Sequence, residues 1–292
     1  MGGVAISPHL ALTRAVSARY RAPGMIPAPK AMPHTLSATG PSAGLARRGA
    51  GTGAMPPVAA TLQAYFQTLS QALGPMRWWP AKTRFEVIVG AILTQNTAWA
   101  NVEQAIGNLR RAGLLTPGAM ERVSNARLAR LVRPSGYFRQ KAKKLKAFVR
   151  FLRECHGGSL VRMFRGSTAE LREQLLAVHG IGPETADSIL LYAGGHPVFV
   201  VDAYTHRILG RHHLTDGKPD YGAAQTLFET NLPRDAALYN EFHALLVNAG
   251  KNWCRKSRPR CGECPLLPHL PDDSALRLTG ATRSSPESES RT

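Results

Sequence analysis

Apolar residues recur three and four positions apart through most of residues 56–271. This spacing places them on one face of an α-helix, so it predicts a series of amphipathic helices and an all-α fold. The one strand-like run, "PVFVV" at 197–201, is too isolated to build a sheet. The apolar positions of three predicted helices are Leu62, Tyr65, Phe66 and Leu69; Val102, Ala105, Ile106 and Leu109; and Ala142, Leu145, Phe148, Val149 and Leu152.

A tight turn of sequence His-Gly-Ile-Gly joins two of the predicted helices. The helix before it opens with Ser167 and Glu170 at capping-box spacing, and a new helical pattern starts directly after the turn. Such a helix-hairpin-helix leaves the backbone N–H groups of Gly180, Ile181 and Gly182 open to a phosphate oxygen. Glycine suits tight turns whatever they bind, but the sequence "IGPETADSILLYA" after it favours a DNA-phosphate role.

Asp202 ends the apolar run and begins the helical pattern "DAYTHRILGR". Its simplest structural role is that of an N-cap, which accepts a hydrogen bond from a backbone N–H. A helix N-terminus also stabilises the charged form of a carboxylate. A cap at this position is therefore compatible with stabilising a cationic transition state.

The chain is strongly basic, with 37 Lys and Arg against 19 Asp and Glu and a formal net charge of +18. A positive field raises the local concentration of polyanions, so nucleic acid is the first partner to test. A solubilising surface is the alternative interpretation of this charge. The basic helical face at 139–155 allows the same two interpretations, a solvated surface or a phosphate contact.

Both ends of the chain differ in composition from the middle. Residues 1–55 contain no Asp or Glu and are rich in Ala, Gly, Pro and Ser, which predicts a disordered leader or a start placed too far upstream. Residues 272–292 are polar and predict a disordered tail. We expect a cytoplasmic, nucleoid-associated monomer without a membrane segment, and an organellar location only if residues 1–55 are a transit peptide.

The chain resembles the helix-hairpin-helix DNA glycosylases of the endonuclease III superfamily. Four stretches carry the resemblance, and together they cover roughly residues 60–267 in the family's order. They are "ILTQNT" at 92–97, "GYFRQKA" at 136–142, "HGIGPETAD" at 179–187 with Asp202 after it, and "HALLVNAGKNWC" at 243–254 leading into a cysteine loop.

The resemblance implies two helical lobes that hold double-stranded DNA and flip a damaged nucleotide into the cleft between them. Flipping is needed because stacking shields the anomeric carbon within a duplex. Asp202 then matches the family's catalytic aspartate. Gln95 falls at or beside the polar residue that enters the helix where the base was, although a helix-terminal hydrogen bond is its alternative role.

Glu184 stands where members with lyase activity carry a lysine, eighteen residues before the aspartate. A carboxylate cannot form an imine, so the resemblance implies a monofunctional base excision repair glycosylase that uses water as nucleophile. Glu184 would position that water or contact the base. Its structural alternative is an acid that interacts favourably with the N-terminus of its helix.

Two alternatives to a monofunctional enzyme stay open. One is a bifunctional glycosylase and lyase for oxidised pyrimidines that uses another amine, such as Lys141 or Lys251. The other is a non-catalytic protein that binds damaged DNA and has kept the hairpin without the chemistry. Asp202 argues against the second alternative, because a protein that only binds has no need of it.

The cysteine loop departs from the family's iron–sulfur signature, Cys-x6-Cys-x2-Cys-x5-Cys. Cys254, Cys261 and Cys264 occupy the first three places, but the fourth falls on Leu270, with His269 one position earlier. Cluster iron normally has four sulfur ligands. We expect a 4Fe-4S cluster completed by His269 or an exogenous ligand, a three-iron cluster, a Cys3His zinc site, or a relic of such a site.

The same loop is expected to contact the DNA backbone. Between its first two cysteines it carries Arg255, Lys256 and Arg258, and the resemblance places such a loop against the phosphates.

Aromatic residues near the expected cleft bear on the identity of the base. Trp99 lies close to "LTQNT", and Trp78 and Trp79 precede it, so Trp99 is a candidate for the base pocket. An electron-poor alkylated purine stacks well on an aromatic face. Core packing is the alternative role for each tryptophan. The lesion favoured here is an alkylated purine, and lysine-free members of the superfamily include 3-methyladenine glycosylases.

Overall fold

The computed structural model describes residues 58–76, 79, 81–217 and 220–271. The described residues form α-helices and contain no strand, which confirms the all-α prediction. Trp78 and the two segments expected to be disordered, 1–55 and 272–292, lie outside them. The helices are α1 Val58–Leu73, α2 Arg84–Leu93, α3 Trp99–Arg111, α4 Pro117–Arg122, α5 Asn125–Leu131, α6 Phe138–His156, α7 Leu160–Met163, α8 Thr168–Leu176, α9 Pro183–Ser188, α10 Ala203–Arg211, α11 Tyr221–Asn231 and α12 Ala236–Asn252.

The helices form two groups. Helices α2 to α7 pack mainly on one another, with the basic helix α6 at their centre. Helix α1 packs instead against α11 and α12, and α12 also packs against α10. Between the groups lie α9 and the π-helical turn Ile189–Gly194, which contact α2 on one side, while the π-helical turn also contacts α12. No described helix has both the length and the apolar character needed to cross a membrane.

Side-chain caps explain where most of the helices begin. An oxygen at the N-cap accepts a hydrogen bond from a backbone N–H that has no partner within its own helix. The predicted cap Ser167 accepts from Glu170 N at 3.3 Å, and the predicted cap Asp202 accepts from Thr205 N at 2.8 Å. Other helices are capped in the same way by Thr83, Thr116, Ser124, Ser159, Asp220 and Asp235.

The apolar run at 197–201 has no regular secondary structure and forms no sheet. Its backbone is held by side chains of α11 in place of a neighbouring strand. Phe199 N donates to Glu229 Oε1 at 2.8 Å, and Gln225 Nε2 donates to Phe199 O at 2.7 Å. Buried backbone groups need partners, so α11 fixes the path of the segment that leads to Asp202.

The hairpin consists of α8, the turn at 177–182 and α9. Ile181 is buried and anchors the turn, whereas Gly182 is exposed. Gly180 has a φ of +80°, and a Cβ there would lie 2.5 Å from Lys144 Cγ. Glycine is therefore required at 180 both by its backbone conformation and by the close approach of α6.

The same substitution at both glycines of this turn tests whether glycine is required at 180 but not at 182. We expect Gly180→Ser to lower the free energy of unfolding by about 1–3 kcal/mol, because it combines a left-handed conformation with a steric clash. Gly182→Ser is the matched control, since Gly182 has extended backbone, open space around it and an N-cap position that serine suits. Urea unfolding measures both variants, and equal destabilisation would contradict this account of Gly180.

Candidate active site

Asp202 is held at the N-terminus of α10 by one of its carboxylate oxygens. Oδ1 accepts from Thr205 N at 2.8 Å and from Thr205 Oγ1 at 3.0 Å. Oδ2 lies 3.8 Å from Nε2 of the buried His243, and 13 % of the Asp202 side chain is exposed. The carboxylate is therefore anchored through Oδ1, while the residue keeps a limited opening to solvent.

Glu184 occupies the first turn of α9, close enough to Asp202 for their charges to repel. The residue as a whole is exposed, but its carboxyl group lies close to other protein atoms. Desolvation of the carboxyl group raises the pKa of Glu184 to about 7, and the negative charge of Asp202 is the second cause of this rise. The structure thus brings together the two carboxyl groups that the sequence indicated. At neutral pH Glu184 gains or loses a proton readily.

An aromatic cluster connects Trp99 to the neighbourhood of Asp202. The half-buried Trp99 meets Trp79 edge-on, with ring centroids 5.3 Å apart, and Trp79 stacks on Tyr192 at 5.0 Å. The Tyr192 hydroxyl is hydrogen-bonded to Nδ1 of His243, the histidine beside Asp202. We call Trp79, Trp99 and Tyr192 the aromatic cluster.

Gln95 connects the end of α2 to the hairpin. Its Nε2 donates to Gly180 O at 3.0 Å and to Thr185 Oγ1 at 2.9 Å, and its Oε1 accepts from Lys144 Nζ of α6. In this structure Gln95 therefore bridges α2, α6 and the hairpin turn. Its side chain lies beside the DNA-binding turn that the sequence indicated.

Lys141 is buried and joins two turns of the first group of helices. Its Nζ donates to Leu93 O at 2.9 Å and to Ser135 O at 2.5 Å. Burial, assisted by the charge of Lys144, lowers the pKa of Lys141 to about 8. Its amine is committed to these carbonyls, which disfavours it as the alternative lyase amine. Lys251, the other candidate, is exposed in the last turn of α12.

Tyr137 is a surface residue that the sequence pattern did not single out. It is 67 % exposed, unusually for a large side chain, and it adopts a left-handed φ of +44° at the start of α6. Because Lys141 binds the carbonyls of Leu93 and Ser135, it brings the turn of Tyr137 near the turn of Gln95. An exposed aromatic ring in a strained turn is typical of a ligand contact, and its place in "GYFRQKA" was the available signal.

The cysteine loop is attached to α10, the helix that Asp202 caps. Arg207 Nε donates to Cys254 O at 2.5 Å, and Arg211 donates to Arg255 O at 2.7 Å and to Lys256 O at 3.2 Å. These contacts leave the side chains of Arg255, Lys256 and Arg258 exposed. A helix of nine residues spans roughly 14 Å, so α10 sets the separation between Asp202 and this basic loop.

The three thiols of the cysteine loop face one small cavity. Cys254, Cys261 and Cys264 line one cavity of about 10 Å³, together with Leu270 at the fourth place of the signature. That volume holds about one water molecule, and burial raises the pKa of Cys264 to about 11. Within the described residues no group of three His, Cys, Asp or Glu side chains has a metal-binding arrangement. The set does not fit a four-ligand cluster.

His269, the possible fourth ligand, does not line this cavity. Its Nε2 is hydrogen-bonded to Thr68 Oγ1 at 2.9 Å, and its ring lies 5.3 Å from that of Tyr65. The side chain therefore faces α1 and packs there. The shift of one position from the signature sends the ring away from the thiols, while Leu270 takes the place beside them.

Comparison with known proteins identifies the family of this chain. The profile of the HhH-GPD superfamily of base excision DNA repair proteins matches residues 89–234. A protein of Methanocaldococcus jannaschii, assigned as a DNA repair glycosylase, is 45 % identical over 202 residues, which are 69 % of this chain and 91 % of that protein. The chain belongs to the HhH-GPD superfamily. It is a base excision repair DNA glycosylase.

Solved structures show the same fold for this HhH-GPD protein. The 3-methyladenine DNA glycosylase MagIII of Helicobacter pylori, bound to 1,N6-ethenoadenine, is 31 % identical with a TM-score of 0.59; the match covers 66 % of this chain and 97 % of MagIII. A non-covalent endonuclease III–DNA complex is 20 % identical with a TM-score of 0.66, over 76 % of this chain and 98 % of the other. The second likeness concerns the fold alone.

The two lysines suggested as lyase amines differ in burial, which gives a stability test. We expect Lys141→Met to lower the free energy of unfolding by about 1–3 kcal/mol near pH 7, because two buried carbonyls lose their donor. Since the folded pKa of Lys141 is lowered to about 8, the unfolded chain binds more protons above that pH. Wild type should therefore gain stability relative to Lys141→Met as pH rises from 8 towards 10.

Lys251→Met is the matched control, because the same change at an exposed side chain removes no buried contact. Its free energy of unfolding should follow that of wild type across the same pH range. A flat difference between wild type and Lys141→Met would contradict the burial of a charged amine.

Proposed function

We propose that this glycosylase is monofunctional and hydrolyses the N-glycosidic bond of a flipped, damaged base. The observation that carries the proposal is the pair Asp202 and Glu184. A carboxylate anchored at a helix N-terminus stands beside a second carboxyl group at the place where lyase members carry lysine. This pair supplies a stabiliser for a cationic sugar and a base for water, but no amine that could form an imine.

Asp202 is assigned to the stabilisation of the oxocarbenium-like transition state. Both donors to its Oδ1 come from Thr205, so one oxygen of the carboxylate is held in place before substrate binds. A preorganised charge costs no reorganisation when the positive charge develops on the sugar, which makes it effective in catalysis.

Glu184 is assigned to the activation of water. In this step the water oxygen forms a bond to the anomeric carbon, a water proton passes to the Glu184 carboxylate, and the bond to the base nitrogen breaks. The base leaves with the electron pair of that bond, so a purine made cationic by alkylation departs as a neutral molecule. A pKa near 7 suits a group that must accept a proton at neutral pH.

The favoured lesion is an alkylated purine. The aromatic cluster is the feature that supports it, because cationic or electron-poor rings are attracted to indole and phenol faces. The likeness to MagIII, a 3-methyladenine glycosylase that covers most of the same helices at 31 % identity, supports the same class. Oxidised pyrimidines, mismatched adenine or thymine, and uracil are the competing substrates.

We propose further that the glycosylase acts as a monomer on double-stranded DNA and that residues 56–271 form its catalytic unit. Gly180, Ile181 and Gly182 would bind phosphate through their backbone. Arg255, Lys256 and Arg258 would contact the backbone through the exposed loop that Arg207 and Arg211 hold. Tyr137 would stack against a base near the lesion. We also propose a cytoplasmic, nucleoid-associated location for the glycosylase.

Single-lesion duplexes test the reaction. We expect the full chain to release an alkylated purine and to leave a site that breaks only after hot alkali. Thymine glycol, uracil and adenine opposite an oxidised guanine serve as competing substrates. Breakage without alkali, with trapping of the enzyme on DNA by borohydride, would replace the monofunctional proposal with a lyase.

Asp202→Asn should reduce base release at least about 100-fold, because it removes the preorganised charge. Asp235→Asn is the matched control, since Asp235 also caps a helix, by accepting from Leu238 N at 2.8 Å, and is exposed. An unchanged rate of base release by Asp202→Asn would contradict the proposed mechanism. Release by neither wild type nor variant on any lesion would indicate a protein that binds damage without cutting.

The role of Glu184 gives a pH profile. The pKa of Glu184 is raised to about 7, and a general base works only when deprotonated, so kcat/KM should rise through pH 7 to a plateau. Glu184→Gln should lose this rising limb and lie below wild type above pH 7. Glu173→Gln, an exposed glutamate on the other helix of the hairpin, should keep the wild-type profile. A value of kcat/KM that falls as the pH rises through 7 would indicate that Glu184 acts as a general acid instead of a general base.

A further inference from the structure

The aromatic cluster is connected to Asp202 through its half-buried member Tyr192 and the buried His243. The Tyr192 hydroxyl is hydrogen-bonded to Nδ1 of His243, and Nε2 on the other side of that ring lies 3.8 Å from Asp202 Oδ2. His243 is 5 % exposed and belongs to the middle of α12. Neither residue is part of the pair proposed above to act on the substrate.

Tyr192 reaches His243 from the π-helical turn that continues α9. Its ring stacks on Trp79, with an angle of 27° between the ring planes, while its hydroxyl points to His243. π-helical turns are rare and frequently occur at functional sites, where they redirect a side chain. One residue therefore contacts both the aromatic cluster and the histidine beside Asp202.

The hydrogen bond between Tyr192 and His243 is consistent with a proton on the side of His243 that faces Asp202. Burial lowers the pKa of His243, against the opposing effect of Asp202, which favours a neutral ring. A neutral imidazole has one N–H. When the Tyr192 hydroxyl donates to Nδ1, the N–H is on Nε2, the nitrogen nearest to Asp202 Oδ2.

The two oxygens of Asp202 are held differently, and this gives His243 a task. Two donors from Thr205 hold Oδ1 only, so the carboxylate can still tilt about this anchored oxygen, and such a tilt displaces Oδ2. At 3.8 Å the His243 Nε2 is too far from Oδ2 for a hydrogen bond, but an N–H on this nitrogen attracts the carboxylate electrostatically and so opposes the tilt. Small errors in the placement of a reacting group reduce rates strongly.

We propose that His243 is a positioning residue for Asp202 and that Tyr192 sets its orientation. The Tyr192 hydroxyl holds the ring of His243, whose Nε2–H then directs Oδ2 of Asp202 towards the flipped nucleotide. Because Tyr192 also stacks on Trp79, a base bound at the aromatic cluster would contact the residues that hold Tyr192 and, through it, His243. This inference rests on the catalytic role proposed for Asp202.

Three substitutions test the pair by single-turnover base release, with affinity for lesion DNA measured separately. His243→Leu should slow base release about 10- to 100-fold while affinity changes little, because positioning is lost and binding is not. His243→Gln should restore most of the rate, since its side-chain amide places an N–H where Nε2–H lies. Tyr192→Phe, which keeps the ring on Trp79, should slow the chemical step by a smaller factor.

Tyr65→Phe provides the matched control. Like Tyr192, Tyr65 is hydrogen-bonded to a histidine, and its hydroxyl lies 2.8 Å from His212 Nδ1, but Tyr65 is buried. Removal of the Tyr65 hydroxyl should leave the rate of base release unchanged. Thermal unfolding of every variant separates a loss of rate from a loss of fold, and Tyr192→Phe keeps the test decisive if His243→Leu does not fold.

The outcomes separate this inference from the proposed function. Wild-type rates for both His243→Leu and Tyr192→Phe, with Asp202→Asn inactive, would overturn the inference and leave the function standing. Equal losses in His243→Leu and His243→Gln, in step with lost thermal stability, would also overturn it and make His243 a core residue. An active Asp202→Asn would instead remove the proposed function itself.

Discussion

The buried carboxylate of Asp187 is the interaction on which the geometry of the site depends. It is fully buried and accepts two hydrogen bonds from Arg172, at 2.7 and 3.1 Å, and one each from Tyr221 and Gln225 at 2.8 Å. A charge in the interior is tolerated when it is paired and its oxygens are satisfied. Asp187 meets both conditions and thereby joins α8, α9 and α11.

This network also sets the relation between the two carboxyl groups of the site. Gln225, which binds Asp187, donates to Phe199 O as well, and Glu229 accepts from Phe199 N. The segment that leads to Asp202 is therefore held by α11, the same helix that provides Tyr221 and Gln225 to Asp187. Glu184 lies three residues before Asp187 on α9. The positions of both carboxyl groups thus follow from one buried ion pair and its hydrogen bonds.

The local part of this arrangement could be predicted from the sequence. The periodicity of apolar residues indicated α1, α3 and α6, and the capping signals of Ser167 and Asp202 correspond to observed N-caps. These features depend on neighbours within four residues, so pattern alone contains them. The absence of a sheet at 197–201 could also be predicted, since this isolated apolar run has no second strand to pair with.

The long-range part could not be predicted in this way. The contacts of Gln95 with Gly180, of Tyr192 with His243 and of His269 with Thr68 span 85, 51 and 201 positions. Their partners are brought together by packing of the two groups of helices, which periodicity does not specify. His269 shows the consequence most clearly, because a one-position offset that looks small in sequence directs the ring to α1.

The separation of roles between Asp202 and Glu184 follows from their surroundings. Both lie at helix N-termini, where partial positive charge favours carboxylates. Asp202 receives two hydrogen bonds to one oxygen, which stabilise its charge. Glu184 is desolvated beside that charge, and its pKa rises to about 7. In the proposed mechanism these surroundings suit two different tasks: a carboxylate held in place for the sugar cation, and a carboxyl group that exchanges protons near neutral pH.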